Sequence, residues 1–209
     1  AKDAELLADL GVHFVFAPSP EEMYNPEEMK QTFVFEFAGL DQVMEGKMRP
    51  GHFNGVVQVV SRLFDLVQPS RAYFGEKDFQ QLAIIHHMVE RSYMAERYTN
   101  LQIIDCPIIR EDSGLAMSSR NERLSQEEKE TAVAISKTLF ASKEWAKSAN
   151  VKEVQQQVIN TINSVEGLEV EYYEIVDKNT LQPTDKWENA VGCVTVYCGP
   201  VRLIDNIRY

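Results

Sequence analysis

The ten residues Ala72-Tyr73-Phe74-Gly75-Glu76-Lys77-Asp78-Phe79-Gln80-Gln81 constrain the fold more than any other stretch of this chain. A short apolar run reads as a strand, Gly75 ends it, three charged residues turn the chain, and helical periodicity resumes at Leu82, Ile85 and Val89. Strand, turn and helix in that order form the unit of open α/β sheets, which bind ligands beyond the carboxyl ends of their strands. The helix start offers unpaired N–H groups and the positive end of its dipole to an anion. Lys77 adds a mobile point charge, a combination suited to phosphate. The same residues also have a plainer explanation. Asp78 and Gln81 have the spacing of a helix N-cap and its reciprocal partner, leaving Glu76 and Lys77 as a solvated turn. A Gly-Lys turn alone does not decide between the two.

The 209 residues, 44% of them apolar, suffice for one large domain or two small ones. A formal net charge of −11 argues against nucleic acid or an acidic membrane surface as partner, since both are held through surplus Lys and Arg. A local basic cluster can still hold a small anion. No run approaches the roughly 18 to 20 apolar residues that span a bilayer, and the opening AKDAELLADLG lacks a signal-peptide layout, so a cytoplasmic chain is expected. Cys193 and Cys198 lie five apart in an expected strand, hence on opposite faces; with Cys106 they read as free thiols, and no metal-like spacing is visible.

Residues 1–10 read as the tail of an amphipathic helix closed by Gly11, residues 12–16 as a strand, and 31–37 (QTFVFEF) as another strand. The chain begins abruptly for a fold of strand-helix units and is expected to be a fragment. GLDQVMEG reads as a helical turn, 47–55 as an exposed loop carrying Arg49 and His52, and Val56, Val59, Val60, Leu63, Phe64 and Val67 as the buried stripe of a helix. His52 reads either as an anion contact beside Arg49 or as a packing residue. The adjacent His86 and His87 point about 100° apart on a helix and read as structural. Leu101 to Cys106 is an expected strand. After it, Met117-Ser118-Ser119-Arg120-Asn121 places two hydroxyls and an arginine in a polar loop, donors able to wrap phosphate oxygens. Ser125 and Glu128 have capping-box spacing, a further helix spans Val151 to Val165, and strands at 168–176, 190–198 and 201–205 follow without long crossovers, as in an antiparallel sheet.

With both polar stretches in view, the sequence resembles the pantothenate synthetase (pantoate–β-alanine ligase) family. The resemblance rests on Arg49-Pro50-Gly51-His52-Phe53, Phe74 to Gln81, Met117 to Asn121, and Arg202-Leu203-Ile204-Asp205-Asn206. It implies an α/β fold: an incomplete Rossmann-like nucleotidyltransferase domain with a parallel sheet over residues 1–110, then a small α+β lid domain with an antiparallel sheet over 111–209. It further implies an ATP-dependent, AMP-forming ligase in which pantoate attacks the α-phosphorus, pyrophosphate leaves, and β-alanine displaces AMP from pantoyl adenylate. Catalytic roles would fall to Lys77 and Arg120. The ATP contacts would be Gly75, Glu76, Lys77, Asp78, Ile109, Met117, Ser118, Ser119 and Arg120, and Gln81 would hydrogen-bond pantoate. ATP with Mg²⁺ and a homodimer are implied as well. The family's H-x-G-H helix start and a second pantoate-binding glutamine are not among the 209 residues, so the chain by itself is expected to be inactive or nearly so. The competing expectations are another adenylate-forming transferase using a different acid, or a nucleotide-binding remnant without chemistry.

Overall fold

The computed structural model describes residues 2–25, 27 and 33–209, which divide after Val34 into two compact units. The first carries α1 (Lys2–Asp9) and α2 (Pro20–Met23); Ser19 caps α2 in a reciprocal box with Glu22. Residues 12–16 form no strand. An apolar run becomes a strand only where a neighbour completes its ladder, and no described segment pairs with this one. Of the second expected strand, Gln31 and Thr32 lie outside the described residues and 33–37 are irregular. There the alternating apolar residues serve burial instead: Phe35 and Phe37 meet edge-on at 4.9 Å, and the Phe35 N–H donates to Asn54 Oδ1 at 3.1 Å.

The second unit opens with α3 (Met44–Met48) and α4 (His52–Val67). The expected loop over 47–55 is therefore only Arg49-Pro50-Gly51: Gly51 takes the left-handed conformation at φ 80° and His52 is the first residue of α4. Helical period was legible in α4, but its buried face is Phe53, Val57, Ser61 and Phe64, while Val59 and Val67 are exposed. Next come β1 (Arg71–Gly75), α5 (Phe79–Glu90) and β2 (Gln102–Cys106), with β1 and β2 parallel from Arg71↔Gln102 to Gly75↔Cys106.

The rest of the unit is α6 (Gln126–Trp145), α7 (Val151–Asn163) and an antiparallel meander of β3 (Leu168–Asp177), β4 (Ala190–Cys198) and β5 (Val201–Arg208). Capping boxes start both helices, Ser125 with Glu128 as expected and Asn150 with Glu153. One core joins Leu139, Val154 and Ile162 of the helices to Tyr173, Ile175, Val194 and Val196 of the sheet. The opposite side of the meander, through Tyr172, Thr195, Arg202 and Asn206, meets α3 and the turn after β1. Cys106, Cys193 and Cys198 are free thiols.

His86 and His87 are both structural. His87 Nε2 lies 3.0 Å from the Glu36 carbonyl, and His86 bridges Glu90 and Asp105 at 2.7 Å each, tying α5 to β2. Burial pulls the His86 pKa down, but hydrogen bonds to Asp105 and Glu90 outweigh it and hold the pKa above its ordinary value. A folded-state pKa above the unfolded one makes this contribution complete below about pH 6.5 and lost as pH rises through the folded value. The melting temperature should therefore exceed that of His86→Gln most below about pH 6.5, with the gap narrowing at higher pH. A gap independent of pH would refute this.

Candidate functional site

The β1–α5 turn and the middle of β5 face each other across a cavity of about 60 Å³. Lys77, Asp78 and Gln81 line it from one side, His52 and Glu45 from α4 and α3, Tyr172 and Asp205 from the meander, and Arg120 from the loop before α6. The space holds a few waters or a group the size of one phosphate, well short of the roughly 300 Å³ and upward of ordinary small-molecule sites.

The turn is built by the end of β1 and clamped from β5. The Glu76 N–H donates to the Cys106 carbonyl at 2.8 Å, and Asn206 Nδ2 donates to the carbonyls of Glu76 and Lys77 at 2.8 and 3.1 Å. Arg208 pairs with the Glu76 carboxylate at 2.8 Å. Asp78 is the N-cap residue of α5, yet its side chain makes no capping hydrogen bond, so the expected Asp78/Gln81 box does not form. Both side chains line the cavity instead. The first turn of α5 is thus without a side-chain cap and borders the cavity that Lys77 also lines, and an uncapped helix start beside a cation favours an anion.

Lys77 is half-buried. Burial pushes its ammonium pKa below the ordinary lysine value, Asp78 and Asp205 oppose the shift, and Arg120 adds to it. Two cations are therefore close enough to repel, and a multiply charged anion between them would relieve that repulsion. Burial, then the neighbouring Arg49, lowers the His52 pKa against the pull of Glu45 and Asp78, leaving the imidazole neutral near pH 7 and able to accept a proton.

Arg120 sits in a 3₁₀ turn over Ser119–Arg123 whose N-cap is Ser118; Ser118 Oγ accepts from the Arg120 N–H at 3.2 Å. Its guanidinium donates to the Arg202 carbonyl at 2.8 Å, which leaves further N–H groups for a ligand. Of the other expected nucleotide contacts, Ser118 shares a smaller adjoining cavity with Lys77. Gly75 ends β1, and Glu76 is engaged with Arg208. Ile109 and Met117 are exposed and joined by a Met117 N–H to Ile109 carbonyl bond of 2.9 Å; Ser119 is exposed. None of Gly75, Glu76, Ile109, Met117 and Ser119 lines the main cavity.

Reading the sequence missed Glu45, Tyr172 and the roles of Asp205 and Asn206. A signal for the last two was present: Arg202, Asp205 and Asn206 interrupt an otherwise apolar strand, and polar side chains buried in a strand require partners. Among the described residues no group of three or more His, Cys, Asp or Glu side chains is placed to hold a metal, and no helix is long and apolar enough to cross a membrane.

Comparison with known proteins adds an independent finding. The sequence model of a family described as Pantoate-beta-alanine ligase matches residues 1–208. The pantothenate synthetase of Bacteroides thetaiotaomicron is 56% identical over 99% of this chain and 72% of its own length; that of Porphyromonas gingivalis is 51% identical over the same shares. Among solved structures, a pantothenate synthetase of Thermus thermophilus superposes with a TM-score of 0.89 at 39% identity, covering 99% of this chain and 73% of its own. A pantoate-β-alanine ligase of Francisella tularensis, complexed with β-γ ATP and β-alanine, gives 0.71 at 30% identity, covering 99% and 69%.

Proposed function

From the premise that this chain belongs to the pantoate-β-alanine ligase family, we propose that its cavity joins pantoate to β-alanine through a pantoyl adenylate. A pantoate carboxylate oxygen bonds to the α-phosphorus of ATP as the bond to the pyrophosphate oxygen breaks. The uncharged amine of β-alanine then bonds to the activated acyl carbon, AMP leaves with the bonding pair, and the amine gives up a proton. Both nucleophiles belong to substrates, so the protein's contribution is alignment and charge. Lys77 and Arg120 would take the phosphates, and Gln81, in the first turn of α5, would hold pantoate. Gly75, Glu76, Asp78, Ile109, Met117, Ser118 and Ser119 would complete the ATP contacts. Mg²⁺ would arrive on the ATP phosphates and neutralise them there. A nucleotide-binding part ending at residue 110, a lid over 111–209 and a cytoplasmic homodimer belong to the same proposal.

One observation carries the reading: Lys77 and Arg120, from separate elements, line a single cavity with Gln81. The cavity takes about one phosphate-sized group, so the rest of the nucleotide would extend out through its open side. Titration calorimetry with ATP and Mg²⁺, followed by pantoate-dependent ATP–pyrophosphate exchange, tests it. ATP binding with exchange that is faster with pantoate than with other hydroxy acids is expected, even where exchange is slow. Absence of ATP binding would overturn the proposal, and exchange supported better by a different acid would redirect it to another adenylate-forming transferase.

A further inference from the structure

Gln80 of α5 borders the cavity beside Gln81, but its side-chain amide is engaged away from it. Gln80 is 4% exposed, and its amide is spent wholly on α3 and the turn before it. Nε2 donates to the carbonyls of Leu40 at 2.7 Å and Val43 at 2.9 Å, and Oε1 accepts from the Glu45 N–H at 2.9 Å. This amide supplies what α3 lacks, since its N-cap Val43 has no capping side chain. The fit is close: a Cβ at Gly46 would lie 2.0 Å from the Asp41 carbonyl oxygen, so α3 cannot sit this tightly with any other residue there.

What α3 presents, once held, is Glu45. Its Oε1 accepts from Tyr172 Oη at 2.8 Å, Thr195 Oγ1 at 3.2 Å and Arg202 Nη2 at 2.6 Å, and its Oε2 accepts from Arg202 Nη1 at 2.9 Å. Arg202 is gripped in two places, its Nε and Nη2 also donating to Glu171 Oε2 at 3.0 and 2.5 Å. The Arg202 and Glu45 side chains are only 17% and 15% exposed, so this is a sheltered, bidentate pair rather than a surface one. The Arg202 carbonyl is the acceptor that holds the Arg120 guanidinium. A continuous set of hydrogen bonds therefore runs from α5 through Gln80, Glu45 and Arg202 to Arg120.

We infer that Glu45 is a positioning residue that sets Arg120 relative to Lys77 by anchoring the Arg202 segment of β5. The inference rests on the proposed function and adds to it the means by which the lysine, carried after β1, and the arginine, carried before α6, come into register on one polyphosphate. Glu45 itself touches no substrate. Its carboxylate is satisfied by four hydrogen bonds and is an anion, so a direct phosphate contact would be unfavourable. Because Arg202 and Tyr172 belong to the meander and Glu45 to α3, the register exists only with the meander seated.

A double-mutant cycle on ATP binding, measured by calorimetry with Mg²⁺, tests this. Glu45→Gln should weaken ATP binding about tenfold in the otherwise unaltered protein, the factor that loss of one charge-assisted hydrogen bond commonly brings. In the Arg120→Ala background the same change should cost less than about twofold, because nothing is left to position. Tyr172→Phe, which removes one donor to Glu45 and keeps its charge, should give a smaller loss with the same dependence on Arg120, and serves where Glu45→Gln fails to fold. Equal losses in both backgrounds would reduce Glu45 to a general structural role and overturn the inference. Tighter ATP binding by Glu45→Gln would also overturn it, since the pair would then act only to shut the cavity. If the unaltered protein binds ATP and the cycle is additive, the inference alone fails; if it binds no ATP, the proposed function fails as well.

Discussion

Lys77→Ala should lower ATP affinity and any pantoate-dependent pyrophosphate exchange by about 10²- to 10³-fold, the scale on which a preorganised charge at a developing anion usually acts. The lysine stands at the turn between β1 and α5, where Asn206 fixes the carbonyls of the two peptides that flank it, those of Glu76 and Lys77. Its ammonium is half-desolvated and close to Arg120, a state disfavoured without an anion, as the downward direction of its pKa records. Bound polyphosphate would reverse that balance, so removing the ammonium takes away an interaction made chiefly with ligand present. Because the folded chain gains little from this charge before ligand arrives, the melting temperature should change little. Lys77→Arg should rescue poorly, a planar fork being a poor replacement for a compact ammonium in a cavity of about 60 Å³. Calorimetry and exchange measured together decide the matter. An affinity within about twofold of the unaltered protein would remove Lys77 from the phosphate site.

The largest effect on stability is expected at Asp205. Its side chain is 4% exposed and takes a bidentate pair of hydrogen bonds from Arg110, at 2.7 and 3.0 Å, while Oδ1 also accepts the Asn206 N–H at 2.8 Å. Arg110 in turn donates to the Gly114 carbonyl at 3.3 Å and lies 5.0 Å from the centre of the Phe140 ring. Removing one member of a buried pair leaves the other charged, desolvated and unpaired, at a cost of about 3 to 5 kcal/mol. Asp205→Ala should lose roughly that amount in urea unfolding, a large share of the roughly 5 to 15 kcal/mol typical of a folded domain. Replacing both partners by apolar residues, Asp205→Leu with Arg110→Met, should recover most of the loss, because no unpaired charge then remains. A loss below about 1 kcal/mol for Asp205→Ala would show that solvent reaches Arg110 more freely than its burial indicates. Asp205 also precedes the residue that clamps the Lys77 turn, so ATP affinity should fall with stability in Asp205→Ala and recover in the double variant.

The elements that were legible in the sequence are those whose cause is local. Gly75 followed by charge ended β1 where expected, Ser125 with Glu128 began α6, and the strands that follow one another without long crossovers in the C-terminal third became an antiparallel meander. Errors arose where one local signal admits two tertiary outcomes. Residues 12–16 and 33–37 have the apolar content of strands, but a strand needs a paired neighbour, and these segments have none among the described residues. The Asp78 and Gln81 spacing suits a cap, yet the cap bond is absent and both side chains turn to the cavity. His52, read as a loop residue, begins a helix, because Gly51 just before it takes the left-handed conformation that turns the chain into α4. The candidate site was half legible on the same grounds. Lys77, Asp78, Gln81 and Arg120 lie in contiguous polar stretches that stand out in the sequence, and they meet in one cavity.

The sequence alone thus determined the class of the fold, the strand-turn-helix that carries Lys77, and the family to which the chain belongs, since each is written in neighbouring residues or in short ordered motifs. Only the tertiary structure decided what holds the site together. Glu45 reaches Arg202 across 157 positions, Asn206 reaches Glu76 across 130, and Gln80 reaches Leu40 across 40. A single polar side chain whose partner lies that far along the chain leaves no period or spacing to read; its role exists only once the backbone has brought the two together and excluded the water that would otherwise satisfy them.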